Sequence, residues 1–189
     1  LTVDSDVIKV SKTGMVEPVK DGEAKLKIVH KNQTSTLSVR VTGVGGDFSP
    51  DYVRDVMPVL SKLGCNAGTC HGSKDGKNGF KLSLRGYDPI YDMRAFTDDL
   101  ASRRVNIAAP DNSLILLKCS AAVPHEGGQL TKMGEDYYEI LKAWISNGAK
   151  LDPGSARVAS IELFPRNSVV QKIGDQQQMR VIATYVNGE

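Results

Sequence analysis

The spacing of apolar residues changes between Phe48 and Tyr52, and this change constrains the fold more than any other feature of the 189-residue chain. Before it, "VIKVSKTGMVEPV", "AKLKIVHK" and "STLSVRVTGV" alternate apolar and polar residues around turns at Gly14, at Asp21 and Gly22, and at "KNQ". That period of two belongs to short antiparallel strands. After it, Val53, Val56, Met57, Leu60 and Leu63 fall on one helical face, with Ser49 placed to cap, Pro50 at the first helical position and Gly64 as the stop. Asp111 or Asn112 opens a second helical run through "SLILLKCSA". In "EDYYEILKAWISNG", Tyr137, Ile140, Leu141, Trp144 and Ile145 form one stripe that Gly148 ends. Beyond Pro153, "ASIELFP" and "SVVQKIGDQQQMRVIATYVNGE" return to a strand pattern, two or three strands with a turn near Gly174 and Asp175. The expected organisation is mixed: strands over 1–45, a mainly α segment over 46–153, and strands again over 154–189. Each flank is too small to cover its own apolar face, so the two are expected to pair with one another or with a second chain.

Composition narrows the function classes. At 40% hydrophobic residues the chain can bury a sizeable core. A formal net charge of +2 gives no basic face of the kind that binds nucleic acid. No apolar run approaches the roughly 20 residues of a membrane span. The start, "LTVDSDVIKV", has neither a signal-type apolar stretch nor an initiating Met, so the chain is expected to be a piece of a longer or processed protein. Localisation must then come from chemistry.

The chemistry concentrates in "CNAGTCHG". Cys65 and Cys70 stand five positions apart, and His71 follows directly. Two cysteines with a histidine after the second is the pattern that attaches a c-type haem, here with four spacer residues, Asn66, Ala67, Gly68 and Thr69, in place of the usual two. The small residues Ala67 and Gly68 would allow a looser loop to lie close to a porphyrin edge. Two other chemistries fit the same residues. Cys65 and Cys70 can be a local disulfide or free thiols in an extracytoplasmic chain. Cys65, Cys70, Cys119 and His125 form a nominal zinc set of three thiolates and an imidazole. If His71 holds one side of an iron, the opposite ligand comes from the segment before the last helix, where His125 in "AVPHEGG" and Met133 in "LTKMGED" are the candidates.

Other polar residues carry weaker signals. Lys74, Lys77, Lys81, Arg85, Arg103 and Arg104 make this part of the chain locally basic, suited to offset propionates or to steer an acidic redox partner. Cys119, on the apolar face of "LILLKC", reads as a buried thiol. Trp144 reads as core, His30 as an exposed turn residue, and "NQT" at Asn32 matches a short glycosylation pattern that is common by chance.

Taken together, "VMPVLSKLGCNAGTCHGS", "NGFKLSLRGYDP", "RRVNIAAPDNSLILLK", "VPHEGGQ" and "YYEILKAWISNGA" resemble the planctomycete-type cytochrome c-like domain of large secreted proteins. The resemblance runs from about Asp47 to Leu151. It implies one covalent haem c on Cys65 and Cys70, with His71 as proximal ligand and, because "VPHEGGQ" belongs to the pattern, His125 rather than Met133 as distal ligand. The stretch "VIKVSKTGMVEPVKDGEAKLKIVHKNQTSTLSVRV" resembles the second half of a bacterial Ig-like (group 2) domain, and "ASIELFPRNSVVQKIGDQQQMRVIATYVNGE" the first half. The implied architecture is a haem domain inserted between two halves of an Ig-like β-sandwich, closed within the chain or as a strand-swapped homodimer. The implied function is single-electron transfer outside the cytoplasm, periplasmic or secreted, by an electron carrier rather than an enzyme. An extracellular Ig-like binding module with a zinc- or disulfide-stabilised insert and no redox role is the alternative.

Overall fold

The computed structural model describes residues 1–100 and 103–188. The chain is a mixed α and β fold of short helices and small sheets, and it divides into two compact units, Leu1–Phe48 and the remainder from Ser49. The division falls where the apolar period changes.

The first unit holds β1 (Thr2–Val3), β2 (Ile8–Val10), β3 (Val16–Pro18), β4 (Gly22–His30) and β5 (Gln33–Val41). β4 and β5 form a long antiparallel hairpin with β1 on its outer edge, and β2 and β3 form a second two-stranded sheet. The hairpin turns at "KNQ", where Lys31 takes a left-handed φ of 51°. Alternation along β4 points Ala24 and Leu26 inward, and Ala24 meets Val7, Ile8 and Val41 in a small core.

The second unit begins with a five-residue π turn, Tyr52–Val56, that leads into α1 (Met57–Lys62). Here the structure corrects the expected start of the helix. Asp51, not Ser49, is the cap: its carboxylate accepts from the Arg54 amide at 2.8 Å, and Pro50 lies outside the helix. A carboxylate accepts this bond more strongly than a hydroxyl two residues earlier can. Then follow α2 (Pro89–Thr97), 3₁₀ turns at Leu84–Gly86 and Pro110–Asn112, α3 (Leu114–Cys119) and α4 (Asp136–Ser146). The α2 helix had its signal in "DP": Asp88 caps the Tyr91 amide at 3.0 Å and Pro89 occupies the first position. Gly148, at φ 92°, follows α4 as its spacing predicts.

The core of this unit is aromatic. Tyr52, Phe96 and Trp144 are all at most 1% exposed, and Leu60, Leu82, Leu116, Leu141 and Ile145 fill the space between the helices. Rings meet in sequence: Tyr52 and Trp144 at 5.4 Å, Trp144 and Phe96 at 6.1 Å, Phe96 and Phe80 at 5.2 Å. The Trp144 indole donates to the Lys150 carbonyl at 2.9 Å, so the one polar atom of the ring is satisfied.

A polar tie joins α4 to the turn before α3. Asp111 accepts from the Tyr138 hydroxyl at 2.9 Å and from Lys142 Nζ at 2.8 Å. The Lys142 bond first and the Tyr138 bond second hold the Asp111 carboxyl below its usual range. A depressed carboxyl contributes stability that is fully present above its unfolded pKa and is lost as pH falls through the lower folded value. Asp111→Asn should therefore lower the urea midpoint in the neutral region while leaving the acid end little changed, which flattens the acid limb of a plot of midpoint against pH. An unaltered acid limb would show that the tie adds nothing.

After Pro153 the chain forms β6 (Val158–Phe164) and β7 (Arg180–Tyr185), an antiparallel pair in a sheet of its own. Among the described strands, pairing runs within each flank; the expected joining of the flanks into one hydrogen-bonded sandwich is not among these pairings. The β6–β7 hairpin has Ile161, Leu163, Val181 and Ile182 all exposed. Among the described residues no helix is long and apolar enough to cross a membrane.

Candidate functional site

The cysteine–histidine segment is built on the end of α1. Leu63 is the last residue near helical geometry, and Gly64 follows at φ 79°. The Gly64 amide donates to the Ser61 carbonyl at 3.1 Å and the Cys65 amide to the Leu60 carbonyl at 2.9 Å, which is the double bond of a Schellman motif. Cys65 is thus fixed in place by the helix ending itself, with Gly64 supplying the left-handed residue that the motif requires.

From Cys65 the chain coils tightly. The Ala67 amide donates to the Gly64 carbonyl at 3.0 Å, the Cys70 amide to Ala67 at 2.9 Å, and the His71 amide back to Cys65 at 3.0 Å. The four spacer residues are taken up in these turns, and both cysteines face one cavity. The glycine that permits the coil is Gly72. A Cβ there would lie 2.1 Å from the Asn66 carbonyl oxygen and 2.7 Å from its carbon, whereas a Cβ on Gly68 would meet only Leu84 Cδ1 at 3.6 Å. Gly68 is thus not required by the coil itself. Gly72→Ala should lower stability by about 1–3 kcal/mol through forced opening of the coil, with Gly68→Ala close to neutral. Urea unfolding of the two variants side by side checks the contrast, and equal effects would refute it.

The cavity has a volume of about 570 Å³, within the usual range for small-molecule and cofactor sites. Leu60, Phe80, Phe96, Ile115 and Leu130 give it apolar walls, and Cys65, Cys70, His71, Cys119 and His125 all line it. Residues from four separate regions of the sequence converge there.

The two histidines are held alike. His71 Nδ1 lies 3.0 Å from the Phe80 carbonyl, and His125 Nδ1 lies 3.0 Å from the Gly128 carbonyl. A carbonyl only accepts, so each Nδ1 carries the proton and each neutral ring keeps the lone pair on Nε2. Metal-ligating histidines are oriented by this kind of bond. The His125 loop closes on itself, since the Gly128 amide returns a bond to the His125 carbonyl at 3.0 Å and Gly128 takes a φ of 70°. Partial burial pushes the His71 pKa down, a fall the Phe80 bond opposes and the nearby charges of His125, Arg104 and Lys118 reinforce. The shift favours the neutral ring, the state that ligates. Met133 does not line the cavity and is 67% exposed.

Around His71 the support is aromatic and cationic. Its ring lies 4.6 Å from Phe80, and the Arg104 guanidinium stands 4.6 Å over the opposite partner of that contact, the Phe80 ring. Arg104 is 7% exposed, and it donates to the carbonyls of Ala95 at 2.6 Å and Gly79 at 3.0 Å. Of the six basic residues singled out in the sequence, Lys77, Arg103 and Arg104 line the cavity and Lys74, Lys81 and Arg85 do not. Lys118 was missed and belongs with the first group; its Nζ donates to the Pro124 carbonyl at 2.6 Å, one residue before His125. The signal that could have found it is its helical spacing from Leu114, which also lines the cavity.

All three cysteines are free thiols. Cys119 is buried, as its apolar setting predicts, and it lines the same cavity as Cys65. The Cys119 thiol favours the anion on Cys65 against the effect of burial, and Cys65 together with burial pushes the Cys119 pKa up. Cys70 has a different neighbour, Thr69 Oγ1 at 3.9 Å. Among the described residues no three of the His, Cys, Asp and Glu side chains stand close enough to hold a metal ion, so Cys65, Cys70, Cys119 and His125 do not gather as a zinc site.

No family model matches the chain, and no match is found among curated proteins or among solved structures.

Proposed function

We propose that the segment from Ser49 to Leu151 binds one covalent haem c and carries single electrons, as its likeness to planctomycete-type cytochrome c-like domains implies. The observation that carries the reading is the pair of histidines on one cavity, each with Nδ1 held by a backbone carbonyl and Nε2 left to ligate, beside two cysteines of the attachment pattern. In this reading Cys65 and Cys70 form the thioether bonds, His71 is the proximal ligand and His125 the distal one. The bound group supplies one-electron exchange between ferric and ferrous iron.

The chain's own residues do the rest. Phe80 and Gly128 hold the ligand rings at a fixed tautomer through their carbonyls. Leu60, Phe96, Ile115 and Leu130 line the cavity with apolar groups and would exclude water from a bound haem. Lys77, Arg103, Arg104 and Lys118 offset propionate charge, and the same charges steer an acidic redox partner toward this side. If His71 and His125 were both to ligate the group, its chemistry would be electron carriage rather than catalysis. Haem attachment of this type takes place outside the cytoplasm, so the protein is periplasmic or secreted. The strand segments serve as spacer or docking module, and the exposed apolar residues of β6 and β7 support their belonging to a larger Ig-like sandwich, completed in the chain or by a strand-swapped second copy.

The test is a visible absorption spectrum, oxidised and dithionite-reduced, of protein matured in a host with haem-ligation machinery. Sharp low-spin bands in the reduced form, without the weak far-red band of Met ligation in the oxidised form, are the expected result. A colourless product from that host removes the proposal.

A further inference from the structure

The ring of His71 is seated on one residue. Phe80 gives it both a carbonyl, 3.0 Å from Nδ1, and a ring at 4.6 Å. Phe80 closes a tight turn in which the Lys77 amide donates to the Phe80 carbonyl at 2.9 Å and the Phe80 amide to the Lys77 carbonyl at 3.0 Å. Between them Asn78 and Gly79 take left-handed φ values of 49° and 72°, as such a two-residue loop requires. Beyond the turn, the Leu82 amide donates to the His71 carbonyl at 2.8 Å. That bond anchors the base of the loop, and the turn at its tip needs an anchor of its own. Lys77 reaches Glu126 only at 3.8 Å, between exposed side chains, and such a pair is weak.

Arg104 supplies the anchor from 25 residues along the chain. Its Nη2 donates to the Gly79 carbonyl at 3.0 Å, and its guanidinium stands 4.6 Å from the centre of the Phe80 ring. Its Nη1 donates to the Ala95 carbonyl at 2.6 Å and lies 3.4 Å from the Asp99 carboxylate. Ala95 is in the last turn of α2, and the amide four residues on, that of Asp99, donates to the Arg94 carbonyl at 3.2 Å instead. The guanidinium therefore caps a carbonyl at a helix end where a cation is favoured. A planar, forked cation can hold two separate carbonyls and lie over a ring at once, which a lysine ammonium cannot.

We propose that Arg104 is a positioning residue for His71: by tying the turn from Lys77 to Phe80 to the end of α2, it sets the tautomer and the plane of the imidazole. The effect passes through Phe80, which both residues contact. That the imidazole then ligates iron rests on the haem reading; that Arg104 sets it does not. This task is additional to the charge that Arg104 brings to the cavity with Lys77, Arg103 and Lys118.

The chain has three histidines, which gives the test its own controls. His125 has the same kind of bond, but to the Gly128 carbonyl, and His30 is exposed. Proton–nitrogen correlation spectra of the isotope-labelled full chain, produced without haem and held at about pH 8 where free imidazoles are neutral, read the tautomer of each ring. His71 and His125 should carry the proton on Nδ1, with His30 showing the mixture of a free ring. In Arg104→Lys, His71 should take the His30 pattern and its Nδ1 proton should exchange about tenfold faster, the order of one net hydrogen bond, while His125 stays unchanged. A His71 that keeps its tautomer and exchange rate in the variant overturns the proposal, as does a parent chain in which His71 already matches His30. A joint change of His71 and His125 in both Arg104→Lys and the milder Arg104→Gln also overturns it, since Arg104 would then serve the fold of the whole unit. A second arm records the ferric electron spin resonance spectrum of protein matured with haem, which reports the orientation of the axial rings. The parent should give one sharp set of g values and Arg104→Lys a spread. An unchanged single set overturns the extension to the haem-bound form. If the parent takes no haem, the haem reading falls and the result on the haem-free chain stands by itself.

Discussion

His125→Ala, matured with haem, should lose its low-spin spectrum completely and become high-spin, and added imidazole should restore the original bands. The effect is large because the other candidate does not line the cavity: Met133 is exposed, so it does not stand ready to replace the lost imidazole. Rescue by free imidazole separates loss of a ligand from loss of the fold, since an unfolded cavity would not seat the small molecule. Met133→Ala is the matched control and should leave the spectrum unchanged. A low-spin spectrum that survives His125→Ala would end the bis-histidine assignment, and the same loss in Met133→Ala alone would move the ligand there.

Trp144→Ala should lower the unfolding free energy by about 3–5 kcal/mol, the usual range for emptying a large aromatic site in a core. Trp144 is 1% exposed, lies between Tyr52 and Phe96, and is the only tryptophan in the chain. Its removal also leaves the Lys150 carbonyl without the indole donor. Against a typical total of about 5–15 kcal/mol, that loss is enough to unfold a marginal domain. Circular dichroism in a urea series measures it without relying on tryptophan emission. A loss below about 1 kcal/mol would mean that the core around α4 collapses into the space, which the close ring contacts argue against.

What could be read from sequence followed the reach of local rules. The strands of the first unit, the α4 helix and the Gly64 and Gly148 stops depend on periodicity and on one residue's conformational freedom, and lie close to where the pattern puts them. The buried face of α4, however, starts at Tyr138 and leaves Tyr137 exposed. The start of the first helix was misplaced because Ser49, Pro50 and Asp51 all carry start signals, and only the formed bond to the Arg54 amide separates them. The α2 helix went unmarked although Asp88 and Pro89 announce it. At the site, the cysteines and His71 are adjacent in sequence, so their grouping was legible. The return of His125 to the same cavity, the carbonyls that hold both rings and the place of Lys118 are tertiary facts. No spacing rule contains them. The need for glycine at position 72 is of the same kind, because it arises from the Asn66 carbonyl folding back over the chain.

The rings that run from His71 through Phe80, Phe96 and Trp144 to Tyr52 have a consequence for how this chain can vary. Phe80 and Phe96 are at once cavity wall and members of or neighbours to the core, so the scaffold and the site are not two structures but one. A substitution that loosens α4 shifts the surroundings of the His71 ring, and one that alters the His71 ring disturbs the helices. Stability and site chemistry therefore cannot be adjusted separately along this line, and freedom to diversify lies elsewhere, in the exposed His125 loop rim and in the strands at either end.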